Sequence, residues 1–232
     1  MVEIKGLEKF SSRDFPGFIS ATVFLGSCNF RCPYCHNAEL VLSPDRLPTF
    51  PMEYFTDFLD SRKDWLEGIC ITGGEPLLQP DLGDFISFLK DRKLLVKLDT
   101  NGSFPSRLEG LIAKDLVDSI AMDVKAPLQR YAEVTKTEVD GKIIRKTIDI
   151  IMNSGVDYLF RITAVPGLID DEGIMEISRM LRGAKIFQIQ QFLPANTLDP
   201  AYEQLKPFKR EELHALGRRV EDFFDEVRIE EA

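Results

Sequence analysis

Apolar and polar positions along the chain keep switching between two periods. Runs rich in β-branched and aromatic residues predict strands at Gly17 to Leu25, Gly68 to Thr72, Leu94 to Asp99, Ser119 to Val124, Tyr158 to Val165 and Lys185 to Phe192. Between them, apolar residues recur at helical spacing. Pro51 opens the stretch carrying Phe55, Phe58 and Leu59; Asp81 to Lys90 places Leu82, Phe85, Ile86 and Leu89 on one face. A fainter helical pattern covers residues 105–115; Ile143 to Asn153 and Ile174 to Leu181 repeat apolar residues at helical spacing, and Glu211 to Val227 reads as a closing amphipathic helix. Gln129 to Lys142 shows no period and reads as an exposed connection. Strands alternating with helices imply an α/β fold with a parallel sheet. About six βα units are present, fewer than the eight of a closed barrel, so the expectation is an open, partial TIM barrel. In such sheets the ligand site lies at the carboxyl ends of the strands, and the unusual polar groups fall there.

The chain has 232 residues and no linker-like or repeated tract, so a single domain over residues 1–232 is expected. Lys and Arg total 29 against 38 Asp and Glu, a net charge of −9, which argues against a nucleic-acid-binding role. No apolar stretch is long enough for a membrane span, and the first ten residues lack an apolar signal core, so a cytoplasmic location is expected.

Four cysteines in a chain of this size do not make a disulfide scaffold. Cys28, Cys32 and Cys35 fall within a C-x3-C-x2-C segment directly after the first predicted strand. Thiolates select iron–sulfur clusters, zinc or copper. Structural zinc takes four ligands, usually from paired C-x2-C knuckles, and no second knuckle exists; His36 directly follows Cys35 and converges poorly on the same ion. A 4Fe–4S cluster normally takes four cysteines, so three leave one iron open for another ligand. Cys70, between Ile69 and Ile71, reads as a small core residue.

Other segments end the following strands. Gly73, Gly74 and Glu75 close the second: glycines admit close approach to the backbone, and a carboxylate can accept from an ammonium group. Asp99, Thr100 and Asn101 close the third, where Asp-Thr-Asn-Gly is also ordinary turn chemistry. Asp123 and Lys125 close the fourth. Arg161 lies within the apolar fifth strand, either in an ion pair with an interior carboxylate or touching a ligand. Gln188 and Gln190 share a face of the sixth.

The cysteine spacing after a first barrel strand resembles the radical S-adenosylmethionine (radical SAM) superfamily. That resemblance implies a 4Fe–4S cluster on Cys28, Cys32 and Cys35, with S-adenosylmethionine chelating the open iron. It implies that Gly73, Gly74 and Glu75 hold the methionyl amino group, that Asp99 and Asn101 bond ribose hydroxyls, that Lys125 neutralises the cofactor carboxylate, and that Tyr34 lies against adenine. Arg161 and Gln190 are further candidate cofactor contacts. With no cysteine after position 70, the auxiliary cluster of some branches is not expected in this chain.

The run Cys35-His36-Asn37, with Asn37 a candidate cofactor residue, is similar to glycyl-radical-enzyme activases. In that family Asp99, Asp123, Thr100 and the Met122 carbonyl would also hold a monovalent cation. Asp14-Phe15-Pro16-Gly17 at its distance before the cysteines resembles the subgroup that activates anaerobic ribonucleotide reductase, although Ser27 replaces that family's glycine before the first cysteine. The implied partners are a glycyl radical enzyme and a low-potential electron donor such as flavodoxin or ferredoxin. Two other readings stand beside this one: a radical SAM enzyme acting on a small molecule, and a non-catalytic iron–sulfur or zinc protein.

Overall fold

A computed structural model describes residues 2–231; the expected domain over 1–232 also counts residues 1 and 232, which lie outside the described residues. The chain forms two compact units, each discontinuous in sequence. One comprises the residues up to Asn29 with Glu39–Thr100 and Ser106–Ile120; the other comprises Phe30–Ala38, Asn101–Pro105 and the residues from Ala121 onward.

In the first unit, β1 (Ile4–Ser11) pairs antiparallel with β2 (Ser20–Leu25), which pairs in parallel with β3 (Gly68–Gly73), itself parallel to β4 (Leu95–Thr100). Val23, Ile69, Ile71, Val96 and Leu98 are fully buried, as expected for parallel strands covered on both faces. The helices α1 (Ala38–Leu42), α2 (Met52–Asp60), α3 (Leu82–Lys90) and α4 (Pro105–Ile112) follow. Phe55 of α2 meets Phe85 of α3 with ring centroids 5.7 Å apart, so the apolar stripes read from the sequence pack together.

After β5 (Ser119–Asp123), the second unit contains α5 (Tyr131–Thr135), α6 (Gly141–Met152), β6 (Asp157–Ala164), α7 (Asp171–Met180), β7 (Ile186–Gln191), α8 (Arg210–Arg218) and β8 (Glu226–Glu230). β6, β7 and β8 are parallel. Asp140 and Asp170 cap α6 and α7, accepting from Lys142 N and Gly173 N. Among the described residues, hydrogen-bonded strand order follows sequence order from β1 to β8 with no return to β1, so the sheet is open.

The six predicted strands are β2 to β7, but among the described residues the sheet has eight strands. The cysteine segment therefore follows the second strand of the chain, not the first. The expected closing helix over 211–227 ends at Arg218, because Val227 and Ile229 adopt the strand β8. Their side chains lie over Gly217, where an added Cβ would stand 2.7 Å from Ile229 Cδ1. The stretch 129–142 is not simply an exposed connection: α5 within it buries Tyr131, Val134 and Thr135.

Candidate functional site

In the first unit the ends of β2 and β3 interlock through backbone. Ser27 adopts the left-handed conformation, φ 71°, that favours glycine. Its N–H donates to Leu40 O at 2.8 Å and its carbonyl accepts from Glu75 N at 2.8 Å; Gly74 N donates to Leu25 O at 2.9 Å. A Cβ on Gly74 would lie 1.8 Å from Ser27 O, and one on Gly73 2.4 Å from Leu25 O. The two glycines are thus demanded by the chain's own packing beneath Cys28.

Glu75 is fully buried, and its Oε1 accepts from Leu77 N at 3.0 Å and Thr100 Oγ1 at 2.9 Å. The sequence-predicted residues Glu75 and Thr100 therefore meet. Asp99 forms a buried ion pair with Lys97 of its own strand, and Cys70 Sγ lies 3.7 Å from both partners. Cys70 is buried as expected, but beside charges rather than among aliphatic residues alone.

In the second unit Cys32 and Cys35 sit on a loop held from several sides. Arg31 N donates to Thr135 O at 2.8 Å, and Phe30 meets Tyr131 edge-on at 6.4 Å. Cys35 N donates to Cys32 O at 3.1 Å, Leu198 N to Cys35 O at 3.0 Å and Asp199 N to Pro33 O at 2.9 Å. His36 Nδ1 donates to Ala195 O at 2.9 Å, and its ring stacks on Phe192. His36 is thereby a brace for the loop. Asn37 is half-buried on the same segment.

Tyr34 is buried, and burial, then the neighbouring Cys32, pushes its phenol well above the ordinary value. Asp123 accepts from Arg161 Nε at 2.6 Å and Lys125 Nζ at 3.2 Å. Burial opposes its ionisation, but the two cations outweigh that and hold the carboxyl well below the usual range. Burial likewise opposes the charge on Lys125, yet Asp123 and then Tyr34 keep its ammonium raised above the ordinary value. Lys125 N donates to the buried Tyr131 hydroxyl at 3.1 Å.

Arg161 therefore does pair with an interior carboxylate. Gln188 hydrogen-bonds Glu230, while Gln190 is half-buried and level with Thr163 and Glu230 in the sheet. Asn101 Oδ1 accepts from Ser103 N and Oγ at 3.0 and 2.6 Å, which is the turn chemistry its sequence allows.

None of the cysteines forms a disulfide; Cys32 is buried, and Cys28 and Cys35 are half-buried. Among the described residues no group of three or more His, Cys, Asp or Glu side chains is gathered as a metal site. The donor set still fits an iron–sulfur cluster in its chemistry: three soft ligands, two of them on a loop braced by backbone hydrogen bonds. Both aspartates expected to hold a monovalent cation already face cationic side chains of this chain. Sequence reasoning missed Tyr131, Lys97 and the segment 195–199. The signal for Tyr131 was a lone aromatic in a polar stretch; the others carried none.

Comparison with known proteins adds a frame. A model of the Radical SAM superfamily matches residues 22–180. A Methanocaldococcus jannaschii protein provisionally named a glycyl-radical enzyme activating enzyme is 36% identical over 233 residues, 97% of this chain and 95% of the relative. The pyruvate formate-lyase-activating enzyme of Streptococcus mutans is 28% identical over 208 residues, 84% of this chain and 78% of the relative. Among solved structures, Streptococcus suis SuiB bound to S-adenosylmethionine aligns with a TM-score of 0.67 at 16% identity. That match covers 89% of this chain and 48% of SuiB, so the chain spans about half of that protein, and the likeness is one of fold. No helix among the described residues is long and apolar enough to cross a membrane.

Proposed function

The chain belongs to the radical SAM superfamily, and from that premise we propose that it generates a glycyl radical on a partner enzyme, an anaerobic ribonucleotide reductase. In this reading Cys28, Cys32 and Cys35 hold a 4Fe–4S cluster and S-adenosylmethionine takes the open iron. When bound, the two supply a one-electron reductive cleavage yielding a 5′-deoxyadenosyl radical that can take hydrogen from a glycine Cα.

The chain's own residues bind and orient. Lys125, kept charged by Asp123, offers its ammonium to the cofactor carboxylate, and Arg161 fixes Asp123 beneath it. Asp99 and Asn101 accept from ribose hydroxyls. The backbone of Gly73 and Gly74 receives the methionyl ammonium, since the Glu75 carboxylate is already engaged by Leu77 N and Thr100. Tyr34 covers the adenine side and excludes water, with Asn37, Gln190 and Arg161 on its margins. A monovalent cation would share Asp99 with Lys97 and Asp123 with Arg161 and Lys125. The chain works in the cytoplasm, with flavodoxin or ferredoxin as its electron donor.

The observation that carries this reading is the three-cysteine loop in a chain whose relative over 97% of its length is a glycyl-radical activating enzyme by name. The DFPG run before that loop supports the choice of partner. Anaerobic reconstitution with iron, sulfide, dithionite and S-adenosylmethionine is expected to release 5′-deoxyadenosine. Adding anaerobic ribonucleotide reductase is expected to give a glycyl-radical doublet by electron spin resonance. Deoxyadenosine without a doublet would overturn the partner and favour a small-molecule substrate. No deoxyadenosine from iron-loaded protein would overturn the chemistry.

A further inference from the structure

A row of polar side chains crosses the sheet of the first unit, one layer below Asp99. Lys97 lies two residues before Asp99, so both side chains leave β4 on the same face. In the ladder Cys70 stands opposite Lys97, and Thr22 opposite Cys70. Thr22 Oγ1 donates to Asp14 Oδ2. The row is buried: Thr22 is 1% exposed, Cys70 1% and Lys97 3%. Lys97 Nζ contacts Asp99 Oδ1, and Cys70 Sγ lies 3.7 Å from that same oxygen.

A buried lysine in a strand covered on both faces needs a reason. Ordered apolar residues fill such a position at no loss of stability, and often at a gain, because desolvating two charges offsets their attraction. What the pair does provide is a fixed carboxylate. A lysine rising from the layer below pairs with Asp99 and holds its carboxylate in one rotamer, and Cys70 closes the space beside it.

We infer that Lys97 is a positioning residue: it sets Asp99 so that the carboxylate reads the ribose hydroxyls of an adenosyl ligand. The inference rests on the proposed cofactor. It adds that ribose discrimination is made by the Lys97–Asp99 pair and not by Asp99 alone.

The test is equilibrium dialysis of S-adenosylmethionine and its 2′-deoxy and 3′-deoxy analogues, under anaerobic conditions, against the reconstituted protein without reductant. Wild type is expected to prefer the natural ligand by about 10-fold or more over at least one analogue, the scale of a hydrogen bond to a charged group. In Lys97→Met that ratio is expected to fall to within about 3-fold, while Lys97→Arg, which keeps the charge, retains most of it. A purely structural lysine predicts the opposite: all ligands weakened equally and the ratio intact, which would overturn the inference. A wild type that binds all ligands equally would overturn it too. Should Lys97→Met not fold, Lys97→Gln, which keeps a donor without the charge, is read the same way. Iron-loaded wild type that binds none of the ligands would instead sink the cofactor reading itself.

Discussion

The two units hold their candidate residues by different means. Beneath Cys28, the ends of β2 and β3 are locked by backbone: Ser27 in the left-handed region, Gly74 against its carbonyl, and three backbone hydrogen bonds tying both ends in place. Beneath Cys32 and Cys35, side chains carry the load: Asp123 between Arg161 and Lys125, Tyr34 and Tyr131 buried, and His36 on Ala195. The first arrangement has no room to adjust, since backbone cannot change rotamer. The second is electrostatic, so charge and pH reach it while small changes of volume are absorbed by rotamers.

The same substitution in each region separates the two most widely. Gly74→Ala drives a Cβ to 1.8 Å from Ser27 O and is expected to cost about 3–5 kcal/mol. Gly102→Ala, in the second unit, meets Met122 Cε at 2.1 Å with φ +79°. A methionine end can swing away, leaving mainly backbone strain of about 1–2 kcal/mol. Urea unfolding of the apo protein measures both, and equal losses would remove the contrast.

Next in size is the removal of charge. Asp123→Ala leaves a lysine and an arginine facing each other, and arginine cannot shed its proton. Because these groups are partly exposed, the expected loss is about 2–3 kcal/mol rather than the larger value for a sealed pair. The Asp123 contribution also has a sign in pH. Its folded carboxyl lies below the ordinary 3.8, so its stabilisation is present above that value and is lost as pH falls beneath it. The stability gap between wild type and Asp123→Asn should therefore be flat from neutral pH to about 5 and close below about 4. A gap that widens in acid would show that Asp123 is not held ionised by its partners.

Sequence pattern revealed the half of this comparison that repeats and missed the half that depends on contact. Strands β2 to β7 were legible because parallel strands covered on both faces read as short apolar runs. Edge strands lack that signature. In β1 the run Glu8, Lys9, Phe10 is exposed, and in β8 Val227 closed a helical pattern until the sheet claimed it. The cysteine spacing and the glycine pair were legible as residue types. The reason for Gly74, the Ser27 carbonyl, exists only when β2 and β3 lie side by side. Lys97 passed for an ordinary strand residue because its meaning lies in Asp99, one layer above. Tyr131 was hidden for a related reason: α5 has five residues, too few to show a period.

Tyr131 also gives the finest test of the side-chain region. Its ring is fully buried against Phe30, and its hydroxyl takes the Lys125 N–H. Tyr131→Phe keeps the ring and leaves that donor without the oxygen, an expected loss of about 1 kcal/mol. Tyr131→Leu also removes ring packing under the cysteine loop and should cost about 2–3 kcal/mol. Placing Lys125 is a matter of its backbone, so Tyr131→Phe should weaken S-adenosylmethionine binding about 3-fold or less and leave iron content unchanged. Iron lost in Tyr131→Phe would mean that the hydroxyl, and not the ring, supports the cysteine loop. The two regions would then differ less than their construction implies, since a single polar atom would be as critical here as the backbone at Gly74.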